Sequence, residues 1–308
     1  MKQAIIIFCL FMSFTITYAF EPVYPNIDGD RKSALRTNLF SKTHTRSIYP
    51  AWGFFTDVSS GLSTIRNKDV SYQNWNSENF IGYNVNLGYF YSVNSLFKIK
   101  SGIGISSFHK SYTADGEFTS SELTDIDNDT YTESLTLVGA AYDFNPLYLT
   151  VPLTFEIGET SVNKLGYYID VGATFSYLLD ENITTEGTYT TKGIYPQWGV
   201  TLENIPELGF YTKDLDTESN INKSNLAIHG GAGITIPLSG VVILKLGLNA
   251  YLGLTNIGNT PKIPDDSSIS QQVHQFRSAY INNPATITGS KARYIGIELG
   301  FIFSKRVK

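Results

Sequence analysis

Eight stretches of this chain alternate apolar and polar residues with a period of two, most of them over eleven to thirteen residues. Such alternation puts the apolar set on one face of a β-strand and the polar set on the other. In residues 81–91 the odd positions are Ile81, Tyr83, Val85, Leu87, Tyr89 and Tyr91, and Gly82, Asn84, Asn86 and Gly88 stand between them. In residues 165–177 Leu, Tyr, Ile, Val, Ala, Phe and Tyr take the odd positions. In residues 242–254 every even position is apolar. The last strand sets Ile295, Ile297, Leu299, Phe301 and Phe303 opposite Tyr294, Gly296, Glu298, Gly300 and Ile302. Residues 52–62, 97–107, 147–157 and 226–236 follow the pattern less regularly. Residues 133–144 extend the fourth strand upstream, with Asp143 and Pro146 marking a bulge or break.

Strands of this length are long for a globular sheet, where about 5–6 residues is usual, and suit a tilted membrane crossing of about 9–11. The joins also alternate. Short ones lie at 93–95, 158–164 and 239–240, and long ones at 63–79, 111–132, 180–225 and 256–290. Short turns on one side and long loops on the other are the asymmetry of an outer-membrane barrel. The expected fold is therefore all-β: an eight-stranded antiparallel transmembrane β-barrel, an up-and-down meander with long extracellular loops. Aromatics at strand ends (Tyr49, Trp52, Tyr89, Tyr91, Tyr167, Tyr177, Phe301 and Phe303) are expected to form interfacial girdles. The competing fold is a large soluble sandwich or ligand-binding barrel. It would carry charged outer faces, whereas the second face here is Gly, Asn, Ser, Thr and single charges.

Composition removes other classes. The 308 residues are 17% charged and 14% aromatic, with 26 Gly but only 2 Met, which excludes a disordered chain and argues against long helices. A formal charge of −5 leaves no basic footprint for nucleic acid. At the N-terminus, Lys2, an apolar run from Ala4 to Ile16 and Thr17-Tyr18-Ala19 read as a secretory signal peptide of residues 1–19. The single cysteine, Cys9, lies inside it, so the mature chain has no thiol for a disulfide, a zinc site or a nucleophile. Residues 20–47 read as a periplasmic segment, 48–304 as the barrel and 305–308 as a periplasmic tail.

Two adjacent strands carry a resemblance. Tyr148-Leu-Thr-Val-Pro152-Leu-Thr-Phe-Glu156, followed by Gly166-Tyr-Tyr-Ile-Asp-Val-Gly172, resembles a hallmark of the PorT-like outer-membrane β-barrel proteins of the Bacteroidota. The Gly-alternating strand ending in Phe301-Ile302-Phe303 is similar too, and the resemblance covers residues 50–303. It implies a Gram-negative envelope protein of the outer membrane, in a family with members in secretion, envelope maintenance and adhesion. In the same strand Gly296, Leu299, Phe301 and Phe303 resemble the terminal signal read by the barrel assembly machinery, although the chain continues past it to Lys308.

The predicted inner face holds both signs of charge: Asp57, Lys98, Lys100, Glu156, Asp170, Lys245 and Glu298. Charges in a narrow, low-dielectric interior are expected to pair, forming a plug that closes the barrel. A narrow ion path uses the same residues, and sequence leaves both open. Among the histidines, His44 and His274 lie outside the strands, His229 faces inward, and His109 stands near Ser107 and Ser111. No Gly-x-Ser-x-Gly elbow or metal-ligand spacing accompanies them, so neither enzyme, cofactor nor metal centre is expected. The acidic loop at 111–132 carries Asp115, Glu117, Glu122, Asp125, Asp127 and Asp129 without a lysine or arginine. It matches the start of a calcium loop but has Thr130 and Thr136 where Gly and Glu are needed. The loop at 180–225 holds Tyr189, Tyr195, Trp198, Phe210 and Tyr211, and residues 194–200 look strand-like. These aromatics either recognise a protein or glycan or fold back over the barrel mouth. The expected function is a non-enzymatic outer-membrane protein with a structural, accessory or binding role through its outer loops. The alternatives are a small-solute pore or transporter, and a lipid-modifying enzyme. Expected partners are outer-membrane lipid, lipopolysaccharide and the barrel assembly machinery.

Overall fold

The computed structural model describes residues 50–66, 75–125, 127–216, 221–258, 271–281 and 289–304. The expected signal peptide (1–19), the segment 20–47, the tail 305–308, His44, Tyr49 and the side chain of His274 lie outside the described residues. In chain order the strands begin with β1 (Trp52–Arg66), β2 (Asn76–Ser92), β3 (Phe97–Ser107), β4 (Lys110–Thr119) and β5 (Leu123–Thr124). Next come β6 (Thr130–Phe144), β7 (Leu147–Glu159), β8 (Gly166–Asp180), β9 (Ile183–Tyr195) and β10 (Val200–Leu202). A 3-10 turn (Pro206–Leu208) leads to β11 (Thr212–Asp214), β12 (Ser224–Pro237) and β13 (Val242–Gly253), then helix α1 (Gln271–Ile281) and β14 (Lys291–Ser304).

Eight strands close a ring in the order β1, β2, β3, β7, β8, β12, β13, β14, with β14 antiparallel to β1. Each neighbours the next barrel strand in the chain, which is the up-and-down meander the alternation predicts. The faces are inside out. Along β7, Tyr148, Thr150, Thr154 and Glu156 are buried, while Leu149, Val151, Leu153, Phe155 and Ile157 are exposed. Along β14, Glu298 is buried while Ile295, Ile297 and Leu299 are exposed. A soluble monomer rarely leaves a contiguous apolar patch beyond a few hundred Å² in water. A band of this kind around a closed barrel, with polar residues inside it, is the surface of a membrane-spanning barrel.

Aromatic rings border that band. Trp52, Tyr89, Tyr91 and Tyr167 are exposed near the short-turn end, where Trp52 and Tyr89 stack with centroids 5.9 Å apart. Phe301 and Phe303 stand on the same side, 6.4 Å apart, and Tyr177 is exposed towards the opposite end of its strand.

In two of the long connections, 111–132 and 180–225, the described residues form strands. β3, β7 and β8 each continue past a two-residue break into β4, β6 and β9, and these pair with one another in the order β4-β6-β9. The breaks fall at Phe108 and His109, at Asn145 and Pro146, and at Glu181 and Asn182. Proline removes a ladder donor and Asn182 has φ 39, so both positions favour a change of partner. β2 joins this sheet through residues 76–79, and β10 and β11 line the far side of β9. Residues 133–144 are thus a strand in line with β7, but they pair outside the barrel. The strand-like segment 194–200 resolves into the end of β9, a turn at 196–199 and the start of β10. Turn chemistry explains the difference: Pro196 opens the turn and Gly199, at φ 62, closes it.

The outer sheet has an ordinary core. Leu135, Leu137, Tyr142, Phe144 and Tyr112 are buried and share one cluster, against which Phe276, Tyr280 and Ile281 of α1 pack.

Candidate functional site

All seven charges assigned to the lumen converge. Lys98 Nζ lies 2.9 Å from Glu156 Oε1 and donates to Thr160 Oγ1 at 2.6 Å. Lys100 Nζ lies 2.8 Å from Asp57 Oδ2 and 3.6 Å from Glu156 Oε2. Lys245 Nζ sits among three carboxylates: Glu298 at 3.0 Å, Glu156 at 3.3 Å and Asp170 at 3.7 Å. Glu156 is the hub, since all three ammoniums reach it. The network draws on six strands, β1, β3, β7, β8, β13 and β14, so it ties the ring across its diameter. Glycine makes the room: a Cβ at Gly247 would lie 2.2 Å from the Tyr168 hydroxyl oxygen, and one at Gly300 would lie 2.2 Å from Asp57 Oδ1. The Tyr168 ring then packs 3.9 Å from Lys245 Nζ, a cation–π contact inside the lumen.

Apolar layers lie on either side of these charges. Towards the short turns, Phe55, Phe90, Ile243 and Ile302 form a buried cluster. Towards the outer sheet, Phe108 packs on Tyr251 (5.0 Å) and Tyr148 (6.1 Å), in one cluster with Leu178, Ala227, Ala292 and Tyr294. Between them is a polar cavity of about 40 Å³, lined by Asp57, Lys100, Asp170, His229, Asn249 and Glu298 among others. That volume accommodates a few waters, not a conduit. His229 is held between Thr154 Oγ1 and Thr174 Oγ1, each at 2.8 Å.

His109 is at the β3–β4 break. Its Nε2 lies 2.5 Å from Asp143 Oδ1, and its ring stacks on Phe80 with centroids 4.3 Å apart. The Ser107 hydroxyl, noted near it in the sequence, instead bonds Asn145.

The outer sheet collects the aromatics of residues 180–225 and does not treat them alike. Tyr189, Tyr195 and Phe210 are buried, Tyr211 is half-buried, and Trp198 is 54% exposed. Trp198 stacks on Tyr195 (4.9 Å, 6°), and Tyr195 stacks on Tyr131 (5.1 Å, 15°). Phe210 meets Tyr131 edge-on at 6.1 Å, and Leu123 and Val273 complete the cluster. The Tyr195 hydroxyl donates to Asp125 Oδ2 at 3.2 Å. The other oxygen of Asp125 accepts the backbone N–H groups of Asp127 and Asp129, both at 2.9 Å. Asp125 is therefore a turn-forming carboxylate. Burial and then the charge of Glu133 push the Tyr131 phenol up to about 12, with Arg277 opposing them.

Arg277 of α1 was not singled out by the sequence. Its Nε and Nη2 donate to Glu133 Oε1 and Oε2 at 2.6 and 3.1 Å, and Nη2 also donates to the Gly209 carbonyl at 2.9 Å. The guanidinium is 5.8 Å from the Tyr211 ring. Burial lowers its pKa, but the hydrogen bond and charge of Glu133 outweigh burial and raise it. The pair is separated by 144 residues, so no local spacing marks it.

On β14, Leu299, Phe301 and Phe303 share the outward face, and Gly296 faces inward beneath the Tyr294 ring.

No family model matches the chain, and no curated protein matches it. Among solved structures, Ail, the attachment invasion locus protein of Yersinia pestis, is similar in two crystal structures. One is the complex with the heparin analogue sucrose octasulfate, at 11% identity and TM-score 0.30. The other is Ail alone, at 10% identity and TM-score 0.29. Both matches cover 82% of this chain and 99% of Ail. At that identity and TM-score the likeness is one of coarse barrel form and transfers no residue role.

Proposed function

We propose that this chain is a non-enzymatic outer-membrane β-barrel whose lumen is a closed structural strut and whose outer sheet carries a binding role at the cell surface. One observation carries this: charge, cavity and aromatic layers fill the lumen in succession, while the strands continue outward into a sheet with its own core. A barrel built to conduct would keep a continuous wet path, and the 40 Å³ cavity is bounded by apolar clusters at both ends. The signal peptide and the short-turn, long-connection asymmetry support outer-membrane placement with the sheet outside. The PorT-like resemblance supports a Bacteroidota envelope protein, and its two hallmark strands, β7 and β8, contribute Glu156 and Asp170 to the network. In this reading the terminal residues Gly296, Leu299, Phe301 and Phe303 serve the assembly machinery.

The test is a topology experiment in whole cells. An epitope inserted between Asp127 and Asn128 is expected to be labelled by antibody on intact cells, and one between Ser239 and Gly240 only after the outer membrane is opened. The reverse pattern, or labelling of neither in a protein that is expressed and folded, overturns the proposal.

A further inference from the structure

The outer sheet carries an acidic hairpin that is linked through Tyr195 to the exposed ring of Trp198. Residues 111–132 hold six acids and no lysine or arginine. Glu122 and Asp127 are exposed, and no cation pairs with Glu122, Asp127 or Asp129 among the described residues. This acidic hairpin is fixed in two ways. Leu123 is buried in the same cluster as Tyr131, Tyr195 and Phe210, and Asp125 binds the Tyr195 hydroxyl while its backbone N–H donates to the Asp129 carbonyl at 3.0 Å. Tyr195 therefore joins two features: its hydroxyl holds the anionic hairpin, and its ring supports Trp198.

Trp198 is held as firmly. Its N–H donates to the Tyr195 carbonyl at 3.2 Å, and Gly199 closes the turn on Pro196. One indole face rests on Tyr195, yet more than half of the residue remains exposed. A rigid aromatic plate beside unpaired carboxylates suits a planar cation. A guanidinium stacks on an indole face, and neighbouring carboxylates add charge-assisted hydrogen bonds. A neutral sugar would use the indole and leave the anions unanswered, and a sulfated or phosphorylated glycan would meet like charge.

We propose that the Trp198–Tyr195–Tyr131 stack and the acidic residues Glu122, Asp127 and Asp129 form one docking surface for an arginine-rich basic segment of a partner protein. The proposal deepens the outer-surface binding role above and rests on it. Trp198 is the anchor, Glu122, Asp127 and Asp129 supply the field, and Asp125 is a positioning residue.

The experiment uses the full mature chain refolded in phosphatidylcholine nanodiscs, with a fluorescent deca-arginine peptide as the probe and empty nanodiscs as the blank. Anisotropy titrations give affinity at about 50 and about 300 mM NaCl. Trp198→Ala is expected to weaken binding about tenfold and Trp198→Phe to restore part of it. Glu122→Gln combined with Asp127→Asn is expected to weaken binding and flatten its salt dependence. Equal affinity of wild type and Trp198→Ala would show charge attraction without a built surface and would overturn the proposal. So would absence of peptide binding. Capture of dextran sulfate in place of deca-arginine would overturn the basic partner and leave the surface-binding role intact, whereas a failed topology experiment would remove that role itself.

Discussion

The barrel and the outer sheet are made from the same strands and obey opposite rules. In β7 the polar residues are buried and the apolar ones exposed, whereas in β6 Leu135 and Leu137 are buried and Thr136 is only partly covered. The change occurs within two residues, at Asn145 and Pro146. Alternation specifies that a strand has two faces, and the surrounding solvent decides which one turns inward. In lipid the apolar face is the outer face, and the lumen must satisfy every polar group by itself. In water the apolar face makes the core. In the proposed topology the three aligned breaks mark where the chain passes from one medium to the other.

The two regions also bury charge differently. The lumen uses a seven-membered network with Glu156 at its centre, whereas in the outer sheet Arg277 forms a buried bidentate pair with Glu133 and Lys110 is held by the Asn79 amide oxygen. Glu156→Ala is expected to have the largest effect. It leaves three ammoniums without their common partner, a loss of about 3–5 kcal/mol for a broken buried ion pair. The measurement is the urea midpoint of the heat-modifiable form on a gel. An unchanged midpoint would mean that the lumen charges do not hold the ring.

Arginine placed on the outward face sharpens the contrast of media. Leu153→Arg is expected to destabilise the barrel by about 2–4 kcal/mol, the depth-dependent penalty of a cation on a lipid-facing strand. Val138→Arg, at an equally exposed position of the outer sheet, is expected to stay within about 0.5 kcal/mol. Equal effects of the two substitutions, read from folding in vesicles, would erase the boundary at the strand breaks.

Arg277→Ala comes next, at about 2–3 kcal/mol, because Glu133 is left buried without its charged donor. The expected damage is local: faster limited proteolysis in the outer sheet, with the heat-modifiable shift of the barrel unchanged. Loss of both together would show that sheet and barrel unfold as one unit.

Much of the barrel was legible in the sequence, because lipid and lumen impose opposite chemistry on alternate residues over a long run. All eight barrel strands were placed, and the seven lumen charges meet as their shared face requires. The strands of the outer sheet lie in segments that look like long loops in the sequence. β9 reads Ile-Thr-Thr-Glu-Gly-Thr-Tyr-Thr-Thr-Lys-Gly-Ile-Tyr, and its buried positions are Tyr189, Thr191, Gly193 and Tyr195. The period of two is present, but Thr and Gly carry it, so no apolar signal stands out. The bulge at Gly139 (φ 59), where Asp115 accepts its N–H at 2.5 Å, further interrupts the alternation of β6. Helix α1 is hard to read in the sequence because its described partners are distant along the chain: Val273 packs with Tyr131 and Tyr195, Phe276 packs on the core of the outer sheet, and Arg277 pairs with Glu133. The recognition aromatics were named together, although three of the five serve as core and Trp198 is the one most exposed.

In the proposed function the lumen is closed and the outer sheet carries the binding role. Single-channel recording of refolded, heat-modifiable protein in a planar bilayer tests it most directly. A closed lumen gives no steady, salt-proportional openings from inserted protein. Steady openings whose ion selectivity shifts in Lys100→Gln or Glu298→Gln would contradict it and make the network the lining of a pore.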